Sequence, residues 1–172
     1  FLEARGIQIT QDRVFSLYLP EASQFHNRNK YDFPVVAVAL SDYNAIRQML
    51  GYPPISLGAR EFSTQWDAIS TPEDQAAFLR NHPTLSTDAG TLSLAQDALH
   101  TESMGETFYN LYTHVTYVLP DQVCHQLLPV MTKRYLATAH PIPYADAAAL
   151  QDAFSTHYPE QSLQDGPEYT LD

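Results

Sequence analysis

One stretch of the chain decides its fold: Val35-Val36-Ala37-Val38-Ala39-Leu40-Ser41-Asp42-Tyr43-Asn44-Ala45-Ile46-Arg47-Gln48-Met49-Leu50. A second stretch repeats the same order later in the sequence: Val115-Thr116-Tyr117-Val118-Leu119-Pro120-Asp121-Gln122-Val123-Cys124-His125-Gln126-Leu127-Leu128. In each stretch, a short apolar run typical of a buried strand leads into a helix-start signal that contains an aspartate, and a helical pattern follows. The repeated strand–turn–helix unit predicts a mixed α/β scaffold.

Local signals place the ends of the first unit. A strand is predicted over 33–40, and Ser41 is a good N-cap for the helix that follows. Asp42 lies at the helix end where the macrodipole favours a negative charge. Gly51 stops the helix, and Pro53 prevents its continuation.

The same signals predict the elements outside these two units. They are a helix end near Gly6, strands over 14–19, 60–66, 91–95 and 131–139, helices over 71–81 and 144–157, and a last strand over 168–171. Because the spacings are uneven, the pattern favours an α+β domain with a mixed sheet over a doubly wound parallel sheet. We expect a single domain over 1–172, and the sequence leaves open an inserted subdomain around 60–112.

The chain is strongly acidic, with nine Lys and Arg against 20 Asp and Glu and a net charge of −11. Nucleic acid is therefore not an expected partner, and direct adsorption to an anionic membrane surface is disfavoured. No Lys or Arg follows Arg134, but six acids do: Asp146, Asp152, Glu160, Asp165, Glu168 and Asp172. Two interpretations stay open, in which the acids keep the domain soluble or form an acidic face for a cationic peptide.

The sequence contains no recognisable catalytic or metal-binding motif. There is no glycine-rich phosphate loop and no Gly-x-Ser-x-Gly elbow, and Ser103-Met104-Gly105 comes nearest to the latter. None of the seven histidines has the spacing of a zinc-binding helix. We therefore predict no catalytic, cofactor or metal-ligating residue, although general acid–base chemistry among Asp97, Glu102 and Glu106 stays open.

Two further groups of residues have both a structural and a functional interpretation. Cys124 is the only cysteine, so no intrachain disulfide forms, and its helical pattern predicts a small buried side chain. The aromatic residues Phe108-Tyr109, Tyr112 and Tyr117 alternate as core positions would, or else form an exposed groove for a peptide or another subunit. A cluster with Trp66 would favour the groove.

The given sequence contains no window of 18 consecutive apolar residues and no basic, apolar, cleavable leader. Because the chain starts at Phe1, we expect either an excised piece of a longer protein or a processed mature chain.

Two phrases in the sequence are similar to a known family. The first runs over 40–57, with the helix start Leu-Ser-Asp-Tyr-Asn, a glycine stop and the extended piece Pro54-Ile55-Ser56-Leu57, and Glu61-Phe62 lies in the strand that follows. The second is the hydrophobic strand and Pro-Asp-x-Val-Cys phrase over 118–124. Both resemble segments of FtsX-like permeases of bacterial ABC transporters, related to the MacB and BceB types. The resemblance covers roughly residues 33–66 and 109–130 and is faint elsewhere.

The resemblance implies a function. Such permeases hold a sizeable domain outside the membrane between two transmembrane helices, while the ATPase is a separate cytoplasmic subunit. The implied role is a non-catalytic extracellular domain that moves with those helices and drives export or release of a peptide, antibiotic or lipoprotein, or signals to a partner. The implied partners are the permease's own transmembrane helices, the ATPase subunit, a cationic peptide substrate and a second copy in a permease dimer. It implies no cofactor and no site residue.

An insertion between two membrane helices requires both chain ends on one side of the fold. We therefore expect Phe1 and Asp172 to lie close together. Two alternatives stay open: a secreted peptide- or cell-wall-binding module, and a small hydrolase whose site is assembled by the fold.

Overall fold

The structure, a computed structural model, describes residues 2–25, 35–66, 71–104 and 115–157. Its strands are β1 (Ile9–Leu19), β2 (Ala37–Ala39), β3 (Glu61–Trp66), β4 (Thr84–Thr87), β5 (Gly90–His100), β6 (Val115–Leu119) and β7 (Leu128–Thr138). Its helices are α1 (Leu40–Met49), α2 (Pro72–Asn81), α3 (Asp121–Cys124) and α4 (Tyr144–His157). Two 3₁₀ turns, Glu3–Arg5 and Ala22–Phe25, flank β1.

The strands form one seven-stranded sheet in the order β4-β5-β3-β6-β2-β1-β7. β2 pairs with β6 in parallel, as does β3 with β5, and the other neighbours are antiparallel. The predicted α+β class with a mixed sheet is confirmed.

The two strand–helix units lie side by side at the centre of this sheet. β2 and β6 pair in register from Ala37 opposite Tyr117 to Ala39 opposite Leu119, and every residue of both strands is buried. Strands covered on both faces need continuous apolar runs, which explains why neither sequence alternates with polar residues. Because the strands are parallel, α1 and α3 begin at the same edge of the sheet.

The structure corrects the predicted start of the first helix. The strand is shorter than predicted, and α1 begins at Leu40 with Ala39 at the N-cap position, where no side chain caps the helix. Instead, Oδ1 of Asp121 accepts a hydrogen bond of 2.9 Å from the backbone N–H of Ser41. A residue from the second unit therefore takes the capping role predicted for Ser41, because the parallel pairing places the two helix starts together.

The second helix is also shorter than its sequence pattern indicates. α3 ends at Cys124, and the N–H groups of Gln126 and Leu127 bond back three residues instead of four. Such tight bonds end a helix, and the chain then enters β7 at Leu128. Of the apolar residues beyond Cys124, Leu127 therefore lies in the turn and Leu128 begins β7.

Most other predicted elements are confirmed. The predicted strand over 60–66 is β3, and the predicted helices over 71–81 and 144–157 are α2 and α4. Thr71 caps α2 by accepting a hydrogen bond of 3.2 Å from the N–H of Asp74. The strands over 14–19, 91–95 and 131–139 are present as β1, β5 and β7, and all three are longer than predicted. The predicted strand over 168–171 lies outside the described residues.

Helices cover the sheet on both faces, so the core has two clusters. The first contains the α1 residues Tyr43 and Ile46, the strand residues Phe15, Leu17, Val38 and Val118, and also Val36 and Met104. The second contains the α3 residues Val123 and Cys124 and Phe78 of α2, which contact the sheet at Ala37, Ala39, Phe62, Leu92, Tyr117 and Leu119. Alternate residues of each central strand belong to opposite clusters, as the pleat of a strand requires.

Within the described ranges, no helix is both long and apolar enough to cross a bilayer.

Candidate functional site

A cavity of about 340 Å³ opens where the end of α1, the loop that follows it and the end of β5 meet. Its lining residues are Arg47, Pro53, Pro54, Ile55, Ser56, Asp97, His100 and Glu102. The lining combines four ionisable side chains, one of them the buried His100 imidazole, with an apolar wall from the loop. Ligand pockets commonly show this combination.

Arg47 forms the floor of the cavity. It follows Tyr43 by four residues, on the face of α1 that is turned toward the sheet, and only 1% of it is exposed. Its Nε donates to the Pro53 carbonyl at 2.7 Å, and its Nη2 donates to Oε1 of Glu102 at 2.8 Å. The guanidinium carbon lies 5.6 Å from the ring centres of both Tyr43 and Tyr52. These contacts allow a charged side chain to remain buried.

The loop that forms the apolar wall is fixed to α1. Gly51, with φ of +80°, reverses the chain at the helix end. The Asn44 side chain then clasps Ile55, donating to its carbonyl and accepting from its N–H, both at 2.9 Å. Tyr52 adds a bond of 3.0 Å from its hydroxyl to the Ser103 carbonyl. The wall is therefore held by side-chain bonds on both sides.

The opposite wall comes from the end of β5. His100 is the last residue of that strand and is 5% exposed, with its ring centre 6.4 Å from that of Tyr43. Gln65 of β3 donates from Nε2 to the Glu102 carbonyl at 2.9 Å and accepts a hydrogen bond from the Tyr43 hydroxyl. Glu102 is thus positioned by its backbone as well as by its carboxylate.

Three polar atoms of this site have no hydrogen-bond partner among the described residues. They are Nη1 of Arg47, Nε2 of His100 and Oε2 of Glu102, and all three atoms are buried. Buried polar groups in native proteins are nearly always paired. Three unpaired buried atoms in residues that line one cavity therefore identify it as the strongest candidate site in the described part of the chain.

The charge states of the three groups follow from their contacts. The hydrogen bond from Arg47 lowers the pKa of Glu102 to about 2, although burial acts in the opposite direction. Burial lowers the pKa of His100, and this outweighs the opposing effects of Asp97 and Glu102. At neutral pH the site therefore holds a guanidinium cation, a carboxylate and a neutral imidazole.

This arrangement is suited to binding. Nη1 of Arg47 is a donor, Oε2 of Glu102 is an anionic acceptor, and the neutral imidazole donates or accepts according to its tautomer. A carboxyl group with a pKa near 2 is a poor general base at neutral pH. Ser56, Asp97 and His100 line the same cavity, but the hydrogen bond between His100 and Asp97 uses the Asp97 backbone and not its carboxylate. A hydrolytic triad depends on a bond to the carboxylate.

Of the three acids for which acid–base chemistry was left open, two line the cavity. Glu102 lies in the cavity and Asp97 at its exposed rim. Glu106 lies outside the described residues. Arg47 and His100, which complete the site, were not predicted. One feature of the sequence could have indicated that Arg47 is buried. It follows Tyr43 by four residues, which places both on the apolar face of α1.

The structure also places the other candidate residues. Cys124 is fully buried, as predicted, and burial raises the pKa of its thiol to about 12, with Asp121 and Asp42 contributing. His125 beside it is exposed. Among the described residues, no group of three or more His, Cys, Asp and Glu side chains could hold a metal ion.

The aromatic cluster with Trp66 exists, but it is part of the core. Trp66 and Tyr117 are both buried on the α2 side of the sheet, and Phe78 contacts both rings at centre distances of 5.0 and 6.5 Å. An exposed groove is therefore not formed by these residues. Phe108-Tyr109 and Tyr112 lie outside the described residues.

No family model matches the chain, and no curated protein or solved structure matches it. Functional inference therefore rests on the geometry above and on the resemblance carried by the two sequence phrases.

Proposed function

We propose that this chain is a non-catalytic extracytoplasmic domain of an FtsX-like ABC transporter permease. It couples the ATP-driven motion of transmembrane helices to export or release of a peptide, antibiotic or lipoprotein, or to signalling to a partner protein. The two phrases that carry the resemblance come together in space, since β2 pairs with β6 and Asp121 caps the helix at Ser41. They therefore form one structural unit.

The proposal rests mainly on where the described ends of the chain lie. β1 and β7 are antiparallel strands of 11 residues, and Ile9 pairs with Thr138 at the outer end of their ladder. Just beyond it, the Ala139 N–H donates to the Gln8 carbonyl at 3.0 Å, and Arg5 pairs with Asp146 at 2.8 Å. The segment before β1 and the segment after β7 therefore lie at the same end of the sheet, which suits an insertion between two membrane helices. Phe1 and Asp172 lie outside the described residues, so their proximity stays a prediction.

The same end of the sheet connects to the cavity through packed elements. β1 borders β2, and the Arg13 guanidinium on β1 binds Oδ1 of Asp42 on α1 through Nε and Nη2, at 3.0 and 2.8 Å. Arg47 lies further along α1. A displacement of β1 relative to the sheet would therefore also move α1, the helix that carries Arg47.

Cysteine labelling of the full-length protein in intact cells tests the proposed location. Tyr144 is 90% exposed, so Tyr144→Cys supplies an accessible thiol, whereas Cys124 is fully buried and gives little background. In a full-length protein whose cysteines outside these 172 residues are replaced by serine, we expect a membrane-impermeant maleimide to label Tyr144→Cys in intact cells and to leave the parent protein, which keeps only Cys124, unlabelled. Labelling of Tyr144→Cys only after the cells are permeabilised would place the domain in the cytoplasm and overturn the proposal.

A secreted peptide- or cell-wall-binding module is the second candidate function, because the cavity with unpaired buried polar atoms would serve it equally. Fractionation separates the two functions. A permease domain stays in the membrane fraction and co-purifies with an ATPase subunit, whereas a secreted module is recovered from the medium or the cell wall.

A further inference from the structure

We propose that the cavity formed by Arg47, His100 and Glu102 binds the amino end of a peptide or an amino acid, that is, a ligand with an ammonium group beside a carbonyl or carboxylate oxygen. This inference goes beyond the permease role and does not depend on it. It rests on the unpaired atoms, charges and size of the cavity.

The unpaired atoms call for a polar occupant. Nη1 of Arg47 and Nε2 of His100 belong to residues that are 1% and 5% exposed, and Oε2 of Glu102 is itself buried. Leaving such groups without partners is unfavourable. A single structural water is too small to explain the site, because a volume of about 340 Å³ corresponds to roughly ten waters at about 30 Å³ each.

The charges select the kind of ligand. An oxygen of the ligand would accept from Nη1 of Arg47, and a cationic donor would bind Oε2 of Glu102. Asp97 adds a second carboxylate at the rim. A simple anion would lie close to two carboxylates, and a simple cation would lie close to a guanidinium. A ligand with an ammonium group and a neighbouring oxygen would pair with the Glu102 carboxylate and the Arg47 guanidinium together. The His100 imidazole can form a hydrogen bond to either group of the ligand.

The size and shape of the cavity limit the ligand further. Its volume lies at the lower end of the range for ligand pockets, about 300–1,000 Å³, which suits about one or two residues of a peptide. Pro53, Pro54 and Ile55 supply an apolar wall against which a side chain can pack, and the Asn44 clasp holds that wall in place. Because the wall is preformed, ordering it would add little to the unfavourable entropy of binding.

Calorimetric titration of the 172-residue chain with the dipeptide leucyl-alanine tests the inference. We expect saturable binding, and we expect N-acetyl-leucyl-alanine to bind at least about tenfold more weakly, since it lacks the ammonium group. Inorganic phosphate and butylamine, which each carry one of the two charges, should bind weakly or not at all. Equal binding of the acetylated dipeptide, or binding of phosphate in its place, would overturn the proposal, as would an absence of dipeptide binding at millimolar concentration.

Variants locate the binding. Glu102→Gln keeps the size of the side chain but removes the anionic acceptor, so it should weaken dipeptide binding at least about tenfold. Asp97→Asn, at the exposed rim, should weaken it by a smaller factor and leave the fold unaffected. Glu3→Gln removes an exposed carboxylate far along the chain and should not change binding.

The three variants together keep the inference testable. If Glu102→Gln fails to fold by circular dichroism, Asp97→Asn and the acetylated dipeptide still decide the question. A loss of affinity as large in Glu3→Gln as in the cavity variants would show a general charge effect and contradict the site. The result is independent of the labelling experiment, which tests location alone.

Discussion

Glu102 lies partly exposed beside a buried arginine, and this should make the stability of the protein depend on pH. Its pKa is about 2 in the folded chain, against an ordinary value of 4.5. A carboxyl with a lowered folded pKa contributes stability that is fully present above pH 4.5 and is lost as the pH falls toward 2. We expect the melting temperature to fall through this window, and to fall less steeply in Glu102→Gln. Thermal unfolding from pH 2 to 7 measures this, and parallel curves for the two proteins would contradict it.

His100 should add a second pH dependence at a higher pH. Burial lowers its folded pKa below the ordinary value of 6.5, so the unfolded chain takes up a proton before the folded chain does. Stability therefore begins to fall below pH 6.5. An NMR titration of the His100 ring should give a midpoint below 6.5 in the folded chain, and His100→Gln should remove this part of the pH dependence. A midpoint at or above 6.5 would contradict the burial argument.

The sequence predicted the residues of this site only in part. Asp97 and Glu102 were recognised as a group of acids, but the arginine that sets the pKa of Glu102 is 55 residues away in the chain. Arg47 was not singled out in the sequence, and arginine is rarely fully buried without a partner. Its partner could be found only once β5 and α1 were placed together.

At the scale of elements, the capping of α1 by Asp121 can be separated from the predicted role of Ser41. Asp121→Ala removes the acceptor of the Ser41 N–H and should lower the free energy of unfolding by about 1 kcal/mol, within the usual range for a lost cap of about 0.5–2 kcal/mol. Ser41→Ala is the matched control. It should lower the free energy of unfolding by less than Asp121→Ala does, because the hydrogen bond uses the Ser41 backbone N–H and not its side chain. Urea unfolding measures both variants. A larger loss in Ser41→Ala would restore the cap predicted from the sequence.

The length of β5 shows where local patterns stop being informative. The sequence predicts a strand over 91–95, and the next two residues, Gln96 and Asp97, are polar. In the structure the strand continues to His100, and its register with β3 shifts between the pair Phe62–Leu94 and the pair Thr64–Leu99. Such an irregularity accommodates extra residues in one strand. It depends on the partner strand, which local propensity does not contain, and it delivers His100 to the cavity.

At the scale of the whole molecule, the class of fold followed from the sequence and the order of the strands did not. The repeated strand–helix units predicted a mixed sheet because each unit needs a neighbour to bury its apolar run. The antiparallel pairing of β3 with β6, and the β1–β7 ladder that places Ile9 opposite Thr138, join residues far apart in the sequence. No local pattern specifies such pairings.

The question of a separate subdomain around 60–112 can be decided by unfolding. Trp66, the only tryptophan, lies in that region and is 7% exposed, whereas Cys124, the only cysteine, lies outside it and is fully buried. Phe62 and Leu92 from the region share one core cluster with Leu119 and Cys124. Because this cluster spans both parts, we expect them to unfold together.

Two probes in one urea titration therefore test cooperativity. Trp66 fluorescence and the reactivity of Cys124 with a thiol reagent should change at the same midpoint. The thiol, with a pKa of about 12 in the folded chain, reacts only once it is exposed. Tyr144→Cys is the control, since its exposed thiol should react without urea. A transition in Trp66 fluorescence at lower urea than the exposure of Cys124 would mean that the inserted region melts by itself. The strands would then belong to one hydrogen-bonded sheet, but the two regions would unfold at different urea concentrations.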